Sequence, residues 1–246
     1  MKFALATVAA TVSLTLAPAA PAAVIQVTNG SFQSPDTGTG SNNNVDDFVE
    51  FGSGDRQSIA FNEIITNPSG GNAVLNGDGD QFLILDDRGG SGDAANGIGV
   101  YQNLGSIDAD FTYVLSLKVA QKSDLNLPGA YSYGLSVDTD DDSDIFSDPV
   151  VVSEDESDVG AALLGARGTF VDRVLSFDTL NGNNASLVGE DLFVFARITS
   201  NPTDANQILF DALVVTSTPI PEPASAAVAG LLGLVALRRR RHAGSR

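Results

Sequence analysis

Thr112-Tyr113-Val114-Leu115-Ser116-Leu117-Lys118-Val119 decides the fold class. Tyr113, Leu115, Leu117 and Val119 fall at alternate positions. Thr112, Ser116 and Lys118 occupy the other parity. Side chains of an extended chain alternate between faces, so this is a strand with one face on a core and one on water. Tyr131 to Val137 repeats the pattern, with Tyr131, Tyr133, Leu135 and Val137 on one side. Leu192 to Thr199 does so with Leu192, Val194, Ala196 and Ile198.

Ile208 to Thr216 is a strongly apolar run and Phe170 to Phe177 a weaker one. Earlier candidates are Val24 to Thr28, Phe48 to Phe51, Ser58 to Ile65, Gln81 to Leu85 and Ile98 to Leu104. About ten short strands, punctuated by Gly, Asn, Asp and Ser and without a long amphipathic helix, predict an all-β antiparallel β-sandwich. Val159 to Leu164 reads either as a turn of helix, with Ser153-Glu154-Asp155-Glu156 as its cap, or as a surface loop. The domain is expected over residues 24–216, with a linker at 217–223.

The two ends read as export signals. Met1-Lys2, an apolar stretch from Phe3 to Leu16, Pro18 and the small-x-small Ala20-Pro21-Ala22 form a signal peptide, residues 1–22, for signal peptidase. At the other end Pro221-Glu222-Pro223 is stiff and extended, because proline lacks an N–H and restrains its predecessor. An apolar run from Ala224 to Leu237 follows, then Arg238-Arg239-Arg240-Arg241. As a helix this run is about 21 Å long, short of the ~20 residues of a full span. A transient membrane association suits it better than a permanent anchor. The arginines stay cytoplasmic and the bulk of the chain lies outside.

That tail, residues 221–246, resembles a PEP-CTERM sorting domain. The resemblance implies delivery to the cell envelope, cell surface or extracellular space, and processing by an exosortase-type enzyme.

Without the two signals the chain is more acidic than its formal charge of −18. The tail arginines and Lys2 take six of thirteen basic residues, and Glu222 is one of thirty-one acids, leaving seven against thirty and a charge of −23. Nucleic acid is excluded as a partner, because phosphate binding needs a basic footprint. The chain has no cysteine, and its single histidine, His242, lies beyond the arginines. Thiolate nucleophiles, Ser-His-Asp triads and His-based zinc sites are therefore unavailable to the domain.

A second resemblance covers most of the domain. Asn29-Gly30-Ser31-Phe32, Thr112-Tyr113-Val114-Leu115 and Phe210-Asp211-Ala212-Leu213-Val214 are similar to a galactose-binding-like jelly roll. That family implies a carbohydrate-binding role and a structural calcium between the N-terminal loop, here Asn29, and an acid of the last strand, here Asp211. Gln33 stands after Phe32, where the family offers Glu.

Two acidic loops also invite calcium, which takes six to eight oxygens. Asp138, Asp140, Asp142 and Asp144 alternate, with Asp141 and Asp148 nearby. They form either a ligand row or a solvated acidic loop. Asn76-Gly77-Asp78-Gly79-Asp80 lets the oxygens of Asp78 and Asp80 converge, or simply makes a glycine-rich turn. For sugar binding, which uses aromatic platforms, Tyr113, Tyr131 and Tyr133 align with core residues. Tyr101, between Gly99 and Gln102-Asn103, is the ring expected to reach a surface.

The expected function is thus an exported, non-catalytic protein that binds glycan or extracellular polysaccharide. The alternatives are a structural envelope or biofilm component without a discrete ligand, and a carboxylate-dependent glycan hydrolase.

Overall fold

The computed structural model describes residues 22–34, 41–42, 45–51, 60–66, 78–79, 81–87, 97–121, 130–140, 145–146, 148–155, 168–198 and 206–220. Residues 1–21 and 221–246, where the sequence reading expects the export signals, lie outside the described residues. So do Asp80, Asp141, Asp142 and Asp144, and the 159–164 segment. Among the described residues no helix is long and apolar enough to cross a membrane.

Twelve strands are described: β1 Ala23–Ile25, β2 Ser41–Asn42, β3 Val49–Phe51, β4 Ala60–Thr66, β5 Gln81–Asp87 and β6 Ile98–Ser106. They continue with β7 Phe111–Gln121, β8 Tyr131–Asp138, β9 Val150–Asp155, β10 Val171–Asp178, β11 Asp191–Ile198 and β12 Asn206–Pro219. All pairings are antiparallel. A seven-stranded sheet runs β10-β7-β12-β5-β4-β2, with β1 also on β12, and faces a five-stranded sheet, β3-β6-β11-β8-β9. This is the all-β two-sheet sandwich expected from the alternation.

The alternation builds the core. Tyr113, Leu115, Leu117 and Val119 of β7 are at most 2% exposed, while Thr112, Val114, Ser116 and Lys118 on the other face are half-buried. The core faces of β8 (Tyr131, Tyr133, Leu135, Val137) and β11 (Leu192, Val194, Ala196, Ile198) meet them in one cluster. At ~25 cal/mol per Å² of apolar surface, such burial supplies the main force for folding.

Three differences from the sequence reading have plain causes. Strand β9 contains Ser153, Glu154 and Asp155, the residues read as a helix cap; the preceding Val150-Val151-Val152 is β-branched and pairs with β8. Strand β12 continues past Thr216 to Pro219, because Ser217, Thr218 and Pro219 still lie opposite Tyr113, Thr112 and Phe111. The compact unit spans Ala22–Ile220. Finally, all eight residues of β8 are buried. Its outer positions Ser132, Gly134 and Ser136 are small: Ser136 Oγ donates to Ile145 O at 2.8 Å, Ser132 Oγ accepts from Arg197 Nε at 2.8 Å, and Gly134 lies against Val152 and Ser153 of β9.

Candidate functional site

The outer face of the five-stranded sheet carries an aromatic layer. Tyr101 of β6 lies opposite Phe195 of β11 and Val49 of β3. One pair further on, Gly99 lies opposite Arg197 and Phe51. Phe193 and Phe195 are buried, while Phe51, Tyr101 and Phe146 are half-buried above them. Ring centroids are 6.1 Å apart for Phe51–Tyr101, 4.8 Å for Phe51–Phe146 and 5.8 Å for the edge-on Tyr101–Phe193 pair. Phe146 meets Phe195 edge to face at 5.3 Å.

The Arg197 guanidinium lies 4.3 Å from the centre of the Phe146 ring, and its Nε donates to Ser132 Oγ at 2.8 Å. Burial pulls its pKa down. A cation over a ring face gains quadrupole attraction, which suits a guanidinium that is already partly desolvated. Beneath Tyr101 the framework is fixed by Gln102. Its Nε2 donates to Thr28 O at 3.0 Å and Asp47 O at 2.7 Å, and its Oε1 accepts from Thr28 N at 2.8 Å. Next to it, Asn103 donates to Asp191 Oδ2 at 2.8 Å, adding a polar rim.

Tyr101 was the one ring of this face expected from the sequence. The others carried the same signal: once Leu192, Val194, Ala196 and Ile198 fill the core face of β11, Phe193, Phe195 and Arg197 must share the opposite one.

At the end of β8, Asp138 and Asp140 come together with Asp148, each offering a carboxylate oxygen within 4.8 Å of the others. Asp138 is buried, and its Oδ1 accepts from Asp140 N at 3.4 Å. Thr139 Oγ1 donates to Asp148 Oδ1, whereas Asp148 Oδ2 is buried with no hydrogen-bond partner. Three converging carboxylates, one with an orphaned oxygen, can hold a metal such as calcium, which would complete its shell with carbonyls or water. Of the expected row, Asp138 and Asp140 come together with Asp148, while Asp142 and Asp144 lie outside the described residues.

The calcium implied between Asn29 and Asp211 meets a different arrangement. Asn29 Nδ2 donates to Ser34 O at 2.5 Å and Asp46 O at 3.1 Å, and its Oδ1 accepts from Ser34 N. Asp211 is fully buried and accepts from Asp78 N at 2.5 Å and Ala212 N at 2.7 Å. The left-handed Ala212 (φ 52°) marks the bulge in β12 that sets this geometry. Burial pushes the Asp211 carboxyl up to about 7, against the lowering effect of the two N–H donors. Gln33 Nε2 donates to Ser31 O, Asp78 O and Gln81 O at 2.8, 3.2 and 3.1 Å. Both amide side chains turn donor hydrogens toward the carbonyls. These residues do not fit a calcium bridging Asn29 and Asp211. Asp78 enters through its backbone N–H and C=O, and Asp80, Asp142 and Asp144 lie outside the described residues.

No protein-family model matches the chain, and no curated protein matches it. The PEP-CTERM resemblance therefore stands on the tail motif of residues 221–246 alone. Solved structures share the fold. An apo cyclase from Fischerella sp. has 14% identity and a TM-score of 0.61, over 82% of this chain and 98% of its own. A Stig cyclase from Fischerella sp. TAU, solved with (3Z)-3-(1-methyl-2-pyrrolidinylidene)-3H-indole, has 13% identity and a TM-score of 0.59, over 81% and 100%. A CBM4 structure is 14% identical with a TM-score of 0.44, over 79% and 99%. What the two cyclase likenesses establish is the architecture alone: a β-sandwich resembling these cyclases.

Proposed function

We propose that this protein is a non-catalytic binding module, exported to the cell surface or its surrounding matrix, that takes extracellular glycan across the outer face of the five-stranded sheet. The observation that carries the reading is the group of half-buried rings, Phe51, Tyr101 and Phe146, seated on Phe193 and Phe195 beside polar Asn103. Sugars present C–H faces to aromatic rings and hydroxyls to a polar rim, so an amphipathic ring such as Tyr101 suits them. The lack of cysteine, and of histidine anywhere before His242, supports binding rather than catalysis. The export reading rests on Ala20-Pro21-Ala22, on Pro221-Glu222-Pro223 and on Arg238 to Arg241. Signal peptidase and an exosortase-type enzyme are the partners that follow from it.

Titration calorimetry with purified exopolysaccharide tests the site. Saturable binding is expected, weakened about tenfold by Tyr101→Ala, the equivalent of ~1.4 kcal/mol. Equal binding by the two chains, or none by the native one, rejects the site. Mass determination of the protein from medium and membrane tests the sorting: an intact Arg246 terminus in both fractions rejects it.

A second reading, a structural matrix component held by calcium, is favoured by the Asp138–Asp140–Asp148 group. Calcium-dependent assembly in the absence of sugar binding would replace the first reading with this one.

A further inference from the structure

We infer that the Gln33 side-chain amide does the work of a cation in this chain, closing the N-terminal end of the sandwich without metal. Three backbone carbonyl oxygens, from Ser31, Asp78 and Gln81, surround Gln33 Nε2 at 2.8, 3.2 and 3.1 Å. Oxygens gathered this closely repel one another unless a positive centre lies among them. A hard cation supplies one, and so do the two hydrogens of a primary amide.

The surroundings are cut to the amide. Gly79 has φ +80°, and a Cβ there would lie 2.8 Å from Gln33 Cδ and Oε1 and 2.9 Å from Nε2. The reciprocal bond, Gln81 Nε2 to Phe32 O at 3.1 Å, ties the same two segments a second time.

The amide also reaches Asp211 through the backbone of one residue. Asp78 accepts from Gln33 with its carbonyl and donates to Asp211 Oδ2 with its N–H at 2.5 Å. Gln33 therefore holds the Asp78 segment over the buried carboxyl. On the other side, Leu213 N donates to Gly30 O at 2.8 Å, fastening the N-terminal turn to the bulge of β12. These hydrogen bonds join the turn, the Asp78 segment and β12. Replacing the Gln33 amide nitrogen by an oxygen would leave a seat of oxygens only, with a negative charge among them. Such a seat takes a divalent cation.

The test uses the full chain with Asp148→Asn, which removes the acidic triad from the reading. Thermal unfolding is followed in chelator and in millimolar calcium chloride, both brought to equal ionic strength with sodium chloride, for native Gln33, Gln33→Ala and Gln33→Glu. Native Gln33 is expected to show no calcium shift. Gln33→Ala should lower Tm by about 2–4 °C in both solutions, the shift of roughly one lost hydrogen-bonded tie in a domain of this size. Gln33→Glu should be lowered in chelator and recover in calcium. A calcium shift with native Gln33, an unchanged Tm in Gln33→Ala, or no calcium response in Gln33→Glu each overturns the inference. If Asp148→Asn does not fold, calcium stoichiometry by calorimetry on chains with native Asp148 reads the same question: Gln33→Glu should bind one equivalent more than native. An equal stoichiometry overturns the inference.

Discussion

Arg173 grips Glu154 with two nitrogens, Nε to Oε2 at 2.8 Å and Nη2 to Oε1 at 2.7 Å. The pair joins β10, at the end of the seven-stranded sheet, to β9, at the end of the other. Both side chains are less than one-fifth exposed, and Tyr133 OH donates to the same Glu154 Oε2 at 2.5 Å. Two-point contact with partial burial makes this ion pair stronger than an ordinary surface one. Removing Arg173 would leave a partly buried carboxylate and phenol without their cation. Arg173→Ala should cost about 2 kcal/mol in urea unfolding, more than Arg173→Lys, which keeps the charge but loses the fork.

The same contact sets an acid limit. Burial raises the Glu154 pKa, but the hydrogen bonds from Arg173 and Tyr133 and the charge of Arg173 outweigh it, so the net shift is downward. A carboxyl with a depressed folded pKa contributes stability that is present above its unfolded value near 4.3 and lost as pH falls through the folded value. Native protein should therefore lose stability below about pH 4.3 more steeply than Glu154→Gln, as read from urea midpoints. Parallel curves would show that the pair contributes nothing.

Asp211 has the opposite sign. Its folded pKa of about 7 lies above the reference of 3.8, so the native state holds a proton that the unfolded chain releases first. Stability should fall as pH rises from about 4 to 7, by as much as about 4 kcal/mol from this group. Asp211→Asn should lack that slope, although one of the two N–H groups, of Asp78 or Ala212, would then face an amide. The measurement is the difference in slope between the two chains from pH 5 to 8. It is separable from the effect of Glu154, which operates below this range.

The fold was legible in the sequence wherever one face of a strand is wet. Strand β7, with its outer face half-buried, shows its parity plainly, and Tyr113, Tyr131 and Tyr133 lie in the core as their parity requires. Strand β9 was not legible, because Val150-Val151-Val152 has no parity and the following acids resemble a helix start. The aromatic face was half legible: Tyr101 stood out as amphipathic, while Phe51 and Phe146 reach it only through pairing and a returning turn. Asp148 could not be chosen from spacing, since its approach to Asp138 depends on where the chain reverses. Gln33 was visible as a departure from a family pattern. Its three carbonyl partners come from segments more than forty residues apart as well as from Ser31, and no local rule could assemble them.

The Asp138–Asp140–Asp148 group is expected to make the chain responsive to calcium in a definable way. Three carboxylates within 4.8 Å repel one another, and Asp148 Oδ2 is buried without a partner; a cation relieves both costs. Anything that binds only the folded state stabilises it by RT ln(1 + [L]/Kd), about 1.4 kcal/mol at ten times Kd. Calcium should thus raise Tm in the native chain by a few degrees. A general salt effect on so acidic a protein would also raise it, but would act equally on Asp148→Asn. That variant, in calcium and in an equal ionic strength of sodium chloride, separates the two. A calcium-specific rise that survives Asp148→Asn would move the site elsewhere, and no rise in the native chain would leave the three acids as a plain acidic turn.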